Sequence, residues 1–172
     1  MIVGIDNGID GGICAISPHG KIIDKCPMPI LKRKGKREVD VFAFKEWILD
    51  LNTEPFILIE EPLRRARSSQ AMRSMSINFG KMLGACEIKS WRVIPVEPRE
   101  WQLEILGRIP AGCTKTAALA LVSEVTPDED WTKKGRSTKP HDGMIDAYLI
   151  AEFGRKKYSC LLYTSPSPRD NG

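Results

Sequence analysis

Four acidic residues are placed where a folded chain can bring them to one site. Asp6 and Glu60 each end a short apolar segment, and Asp142 and Asp146 lie one helical turn apart later in the chain. A carboxylate facing a core is costly unless a partner neutralises it, and neighbouring carboxylates repel each other. Hard divalent cations such as Mg²⁺ prefer carboxylate oxygens. The four acids therefore indicate a candidate metal site.

The first two acids follow predicted central strands. Residues 2–6 and 56–60 are apolar up to the acid, which is typical of strands covered on both faces. Open α/β sheets place their sites at the C-terminal ends of such strands. In the structural alternative, an aspartate before the glycine-rich segment 7–12 is only a turn residue. Glu61 adjoins Glu60, and the pattern alone does not choose between them.

The other two acids belong to a predicted amphipathic helix. Pro140 precedes it, and the following apolar residues recur at the spacing of one buried face. Residues four positions apart project from the same side of a helix, so Asp142 and Asp146 would face one ligand. In the structural alternative Asp142 is the helix cap, Asp146 lies at the rim of the core, and Lys139 pairs with one of them.

Length and composition indicate one globular domain. The chain has 172 residues, of which 42% are hydrophobic and 28% charged, and no segment approaches the roughly 20 apolar residues of a membrane helix. The N-terminus enters a strand without the basic and apolar regions of a signal peptide, so we expect a cytoplasmic protein. Its five cysteines show no C-x-x-C spacing, which predicts free thiols.

The end of the chain departs from this pattern. Residues 160–172 have neither helical nor strand periodicity, and they resemble the translated read-through of a sequencing adapter. We therefore expect a folded domain over residues 1–158 and a non-native tail over residues 159–172. We also expect that the natural C-terminus is missing.

Basic residues are clustered. The net charge is +4, and cations are concentrated in segments 32–37, 64–67 and 133–136. Each segment alone is compatible with a solvated turn. Together they suit a phosphate backbone, and a nuclease needs acids at the scissile phosphate with bases around it.

The remaining pattern predicts alternating strands and helices. We expect strands at 2–6, 12–17, 21–26, 56–60 and 91–96, and helices at 41–51, 69–89, 98–102, 114–125 and from 142. The basic segment 32–37 is expected to be an exposed loop. This order would bring the acids to one edge of a mixed sheet.

In this order the segments resemble the ribonuclease-H-like superfamily, and within it the RuvC-type Holliday junction resolvases, most of all the phage-encoded kind. Residues 4–8, Gly-Ile-Asp-Asn-Gly, are similar to the family's Gly-Ile-Asp-Pro-Gly, and residues 58–60 to its Ile-Glu strand end. Segment 78–84 resembles the family's helix after that strand, and segment 96–102 with the region of Lys115 resembles its middle segment. Segment 146–151 resembles the family's last active-site helix. The resemblance covers about residues 1–157. It implies an α/β fold with a five-stranded mixed sheet flanked by helices.

The resemblance also implies an activity. It suggests a metal-dependent endonuclease that resolves four-way DNA junctions by hydrolysis, in a bacterial or phage-infected cell. Two Mg²⁺ or Mn²⁺ ions would activate water and stabilise the leaving 3′ oxygen. The implied metal ligands are Asp6, Glu60, Asp142 and Asp146. Lys115 matches a family lysine near the cleaved phosphate.

Partners follow from the same resemblance. Branched DNA would be bound through its phosphates. The expected DNA-binding residues are Arg64, Arg65, Arg67, Lys34, Lys36 and Arg37. Two symmetric cuts need two active sites related by a two-fold axis, so we expect a homodimer with helix 69–89 and its Met-rich stripe as the interface.

The chain departs from the family pattern at three positions. Gly143 stands where bacterial enzymes have Asp or His three residues before the final acid, Asn7 replaces a proline, and Leu63 stands where some resolvases have a base-stacking aromatic residue. Three other classes compete with this interpretation. An actin-like ATPase needs two large lobes, and a non-catalytic junction protein is expected to lose the acids. A nuclease of the same fold acting on flaps or RNA–DNA hybrids is the main alternative.

Overall fold

The computed structural model describes residues 1–62, 69–133 and 138–158. Its strands are β1 (Ile2–Asp6), β2 (Gly12–Ile16), β3 (Ile22–Pro27), β4 (Ile30–Arg33), β5 (Lys36–Val39), β6 (Phe56–Glu60) and β7 (Arg92–Val96). Its helices are α1 (Val41–Asp50), α2 (Ser69–Ile88), α3 (Pro98–Leu106), α4 (Thr114–Val125) and α5 (Asp142–Lys157). The predicted tail, Leu63 and the arginines at 64, 65 and 67 lie outside the described residues.

Five strands form a mixed sheet in the order β3-β2-β1-β6-β7. β2 is antiparallel to both β1 and β3, whereas β1, β6 and β7 are parallel to one another. The predicted fold class is therefore confirmed. Ile5 pairs with Ile59 in the parallel register, so the acids that follow these residues, Asp6 and Glu60, end neighbouring strands at the same edge of the sheet.

Helix α5 packs on one face of the sheet at backbone contact distance. A Cβ atom on Gly4 of β1 would lie 2.0 Å from the carbonyl oxygen of Ala147, and one on Gly12 of β2 would lie 2.7 Å from the carbonyl oxygen of Gly143. Side chains at these positions would hold the helix away from the strands. The absence of a Cβ therefore brings α5, with its two acids, directly against the strand that carries Asp6.

The opposite face of the sheet is covered by α1 and α2. Asp40 caps α1 as predicted, because its side chain accepts hydrogen bonds from the backbone N–H groups of Phe42 and Ala43. Phe44 from α1 and Met82 from α2 are completely buried in this second core. Met82 belongs to the Met and Phe stripe of α2, and at this residue the stripe is buried in the core.

The basic segment 32–37 was expected to be a loop, and this expectation is wrong. It forms most of a two-stranded hairpin, β4–β5, in which Lys32 pairs with Arg37. Lys34 and Gly35 adopt positive φ angles of 49° and 77°, the conformation that a tight two-residue hairpin turn requires. The hairpin is outside the main sheet and carries its cations on an ordered element.

Two further features concern thiols and membranes. Within the described residues, Cys14, Cys26, Cys86 and Cys113 form no disulfide. Within the part of the chain that the structure describes, no helix is both long enough and apolar enough to cross a bilayer.

Replacing Gly143 with alanine should destabilise the fold. The new Cβ would lie 2.4 Å from the carbonyl carbon of Gly11, and both partners are backbone, so we expect a loss of about 1–3 kcal/mol in the free energy of unfolding. Gly84 of α2 is the matched control, since a Cβ there meets nothing within 4 Å. Gly84→Ala should gain up to about 1 kcal/mol, because glycine is unfavourable inside a helix. Urea denaturation measures both, and equal stabilities would show that the α5 contact relaxes.

Candidate active site

The structure brings the predicted acids to one edge of the sheet. Asp6, Asp142 and Asp146 line an open cleft of about 620 Å³ together with Lys115. Glu60 ends the strand next to the one that carries Asp6. It is close enough to Asp6 and Asp146 for both charges to act on its carboxyl group. Three segments that are distant in sequence therefore contribute acids to one location.

Glu60 is enclosed and held in place. Its Oε1 atom accepts a hydrogen bond of 2.8 Å from the indole Nε1 of Trp101, a completely buried residue of α3. Burial, strengthened by the charges of Asp6 and Asp146 and opposed by the Trp101 hydrogen bond, raises the pKa of Glu60 to about 8. Of the two adjacent glutamates, Glu60 is thus the one that interacts with the other acids.

Asp6 and Asp146 also resist ionisation. Burial raises the pKa of Asp6, although the backbone N–H of Gly8 donates to its Oδ1 atom at 3.1 Å and lowers it. Burial and the charges of Asp6 and Asp142 raise the pKa of Asp146 to about 7, while Lys115 acts in the opposite direction. These carboxyl groups are close enough that ionising one makes ionising the next less favourable.

Asp142 occupies the outer side of the cleft. Its side chain is 51% exposed and forms an ion pair with Lys115, in the first turn of α4. The helix cap is His141, whose Nδ1 accepts a hydrogen bond of 3.2 Å from the backbone N–H of Met144. The alternative in which Asp142 caps the helix is therefore wrong. The hydrogen bond between Lys115 and Asp142 raises the pKa of Lys115.

The chemistry of the donor set fits a divalent metal. All four side chains offer carboxylate oxygens, which Mg²⁺ and Mn²⁺ prefer. In the described ranges no three His, Cys, Asp or Glu side chains already form a metal site. Glu60 is hydrogen-bonded to Trp101 and Asp142 is ion-paired with Lys115. Side-chain rotations of the carboxylates would be needed to converge on an ion.

Asn7 has a role that the sequence did not reveal. It is 1% exposed, and its Nδ2 donates a hydrogen bond to the main-chain oxygen of Glu60. This bond joins the end of β1 to the end of β6 immediately below the acids. The proline of the family pattern has no side-chain donor and could not make it. The available signal was a polar amide next to a buried strand, since buried polar groups find partners.

Gly143 explains one departure from the family pattern. A Cβ atom added to Gly143 would collide with the backbone of Gly11. Gly143 and Gly11 form an isolated parallel bridge. A side-chain ligand therefore cannot be accommodated at this position. Asp142, one residue earlier, is the acid that reaches the cleft.

The predicted DNA-binding cations are only partly described. Arg37 of the hairpin forms an ion pair of 2.9 Å with Asp10, a residue that lines the acidic cleft. Lys36 and Arg37 line a second groove beside it, and Lys34 is exposed at the hairpin turn. The hairpin is thus adjacent to the site.

Comparison with known proteins identifies the fold. No family model and no curated protein sequence matches the chain. A structure of Thermus thermophilus RuvC in complex with a Holliday junction substrate matches with 16% identity and a TM-score of 0.55, covering 95% of this chain and 96% of that chain. Another Thermus thermophilus RuvC structure matches with 18% identity and a TM-score of 0.51, covering 93% and 95%. The chain therefore has the ribonuclease-H-like fold that its sequence predicted.

The raised pKa values predict a pH dependence of stability. Between about pH 4 and 8, folded Glu60 and Asp146 keep protons that they lose in the unfolded chain, because their pKa values are about 8 and 7. The folded state then binds more protons, so these groups lower the free energy of unfolding as the pH rises. In EDTA, Asp146→Asn should be more stable than wild type at pH 8, with a smaller difference at pH 5.

Asp128→Asn, at an exposed position, serves as the control and should follow wild type at both pH values. Urea denaturation at pH 5 and pH 8 measures the differences. If Asp146→Asn is no more stable than wild type at pH 8, the carboxyl groups do not repel each other as described.

Proposed function

We propose that this protein is a divalent-metal-dependent endonuclease that cleaves branched DNA, with the four-way junction as its substrate. The main support is the geometry of the acids. Asp6 and Glu60 end neighbouring strands, and Asp146 lines the same cleft as Asp6 at one edge of a ribonuclease-H-like sheet. The similarity to a RuvC structure in complex with a Holliday junction substrate supports the choice of DNA substrate.

The four acids would act as ligands carried by two elements that are packed directly against each other, the sheet and α5. Asp6 and Glu60 are carried by neighbouring strands and joined through Asn7, so their positions are set by the sheet. Asp142 and Asp146 are carried by α5, which is fixed by its backbone contact with the sheet. When bound, two Mg²⁺ or Mn²⁺ ions would supply an activated water and stabilise the charge on the cleaved phosphate.

Lys115 would act on the substrate. Its side chain is 75% exposed at the rim of the cleft, and its ammonium group is paired with the half-exposed Asp142. A phosphate oxygen entering the cleft offers the lysine a second anionic partner. Lys115 would thereby hold the phosphate next to the carboxylates without itself transferring a proton, because its raised pKa keeps it charged.

A homodimer would supply the second active site for a symmetric pair of cuts. Met82 is buried in the core, so it cannot provide the contact that we expected from the Met-rich stripe. The outer side of α2 instead borders an apolar groove of about 480 Å³. Phe42 and Ile88 line this groove and are 77% and 86% exposed. We assign this groove to a second copy of the chain.

Asp146→Asn should abolish most cleavage while preserving binding. The amide keeps the shape but removes the negative charge that would hold the cation, so the rate should fall at least ~10²-fold, the scale of losing an active-site electrostatic group. DNA affinity should persist or rise, because one acid near the phosphates is removed. Cleavage of a four-way junction, a flap, a duplex and an RNA–DNA hybrid in Mg²⁺, beside gel shifts in EDTA, measures both effects.

Glu60→Gln and Glu61→Gln form a matched pair for the same assays. Glu60→Gln should behave like Asp146→Asn, whereas Glu61→Gln should keep the wild-type rate. Wild-type cleavage by Asp146→Asn would reject the nuclease site. If flaps or RNA–DNA hybrids are cleaved faster than the four-way junction, the nuclease has one of these as its substrate instead of the junction.

The dimer should be sensitive to charge on its proposed contact. Ile88→Asp would place a carboxylate in the apolar groove and should shift the protein toward monomer, which light scattering at tens of micromolar can detect. Lys21→Asp, at an exposed position in the turn between β2 and β3, is the control and should leave the mass unchanged. A wild-type protein that is monomeric and still resolves junctions would contradict this assignment.

A further inference from the structure

A second groove continues the acidic cleft. It lies between the β4–β5 hairpin and the N-terminal half of α2 and encloses about 910 Å³. Its lining includes Lys36, Arg37, Gln70 and Arg73, which are cationic or polar. Ile9, Ser74 and Asn78 line both the groove and the cleft. The two spaces are therefore one continuous channel that begins at the carboxylates and runs between the hairpin and the helix.

Ion pairs on two sides hold the hairpin wall of this groove. Arg37 pairs with Asp10, which ties the hairpin to the loop after β1. Glu38 pairs with Lys81, which ties it to α2. With the hairpin anchored at both sides, the groove is a defined feature of the fold rather than a gap beside a loop.

The groove has positive charge available to a ligand. Lys36 and Arg73 are exposed, and neither forms an ion pair with another residue in the described ranges. Two cations that line one groove together with several polar side chains suit a ligand with repeated negative charges. The sugar–phosphate backbone of a nucleic acid strand is such a ligand, and serine, glutamine and asparagine side chains commonly contact it.

Asn78 gives an independent indication of a ligand. It is 2% exposed where the groove joins the cleft, and its Nδ2 has no hydrogen-bond partner within the described structure. A buried donor without a partner is unfavourable. A phosphate or base oxygen arriving at this point would provide the acceptor after a small adjustment of the side chain.

We propose that the groove between the β4–β5 hairpin and α2 holds one DNA strand on one side of the phosphate that is cut in the acidic cleft. Lys36 and Arg73 bind successive phosphates, and Asn78 donates to the strand where it enters the cleft. The location of the cut rests on the proposed function. The groove itself rests on the charges, the polar lining and the continuity of the channel.

The test measures the salt dependence of binding to a fluorescent four-way junction in EDTA. Lys36→Ala and Arg73→Ala should each lower the slope of log K against log salt by about 0.7–0.9, the value of one phosphate contact. The double variant should lose about twice as much. Arg73→Lys should keep the wild-type slope, because it keeps the charge.

Lys21→Ala is the matched control, because it removes one positive charge elsewhere. Lys21 is exposed and follows Gly20, which lies beside Glu152 and Arg155 in the C-terminal half of α5. Its slope should equal that of wild type. Slopes equal to wild type for both Lys36→Ala and Arg73→Ala would overturn the groove assignment.

Neutral methylphosphonate linkages locate the contact along the strand. Placed singly within several nucleotides of the cut, one linkage should weaken binding by wild type but have no further effect on Arg73→Ala. If every linkage weakens both proteins equally, Arg73 does not contact the strand and the proposal fails. Since these assays need no cleavage, loss of the groove and loss of the nuclease site are distinguishable: retained cleavage by Asp146→Asn would reject only the latter.

Discussion

Repulsion between carboxylates is the constraint that the rest of this structure must meet. Asp6, Glu60 and Asp146 are partly buried near one another. Burial raises the pKa of each, and the charge of Asp6 raises those of Glu60 and Asp146 further. The packing of α5 on the sheet must outweigh this unfavourable term, and its completely or nearly completely buried side chains, such as Phe153, supply the apolar contact. The clustered acids thus lower the stability of the fold, and in return they place several carboxylates at one site. Such a loss of stability is common at functional sites.

Much of this arrangement could be predicted because its signals are local. The apolar segments before Asp6 and Glu60 are short and uniform, as buried central strands are. The apolar spacing after Asp142 follows the helical period. Neither pattern shows that β1 and β6 pair in parallel, however, and that pairing is what brings Asp6 and Glu60 to one edge. The order of strands and helices, together with the family resemblance, supplied this long-range information, and the sheet order confirms it.

The features that escaped prediction depend on neighbours that are distant in sequence. The β4–β5 hairpin lacks the alternating apolar pattern of a strand. It is held by its backbone ladder, by the burial of Val39 in the second core and by the pairing of Glu38 with Lys81 of α2. The bond from Asn7 to the main chain of Glu60 needs knowledge of the adjacent strand. The choice of Lys115 as the partner of Asp142 needs the position of α4 beside α5. Local patterns in a single sequence do not predict such contacts between distant residues.

The contact between Gly12 and Gly143 also limits how this protein can change over generations. At most packed positions, a larger residue can be tolerated when a neighbour becomes smaller. Here both partners are already the smallest residue, and the atoms that would collide belong to the backbone. No second substitution can make room for the first. A substitution at either glycine would therefore have to displace the whole of α5. We expect both positions to stay glycine while surface positions vary.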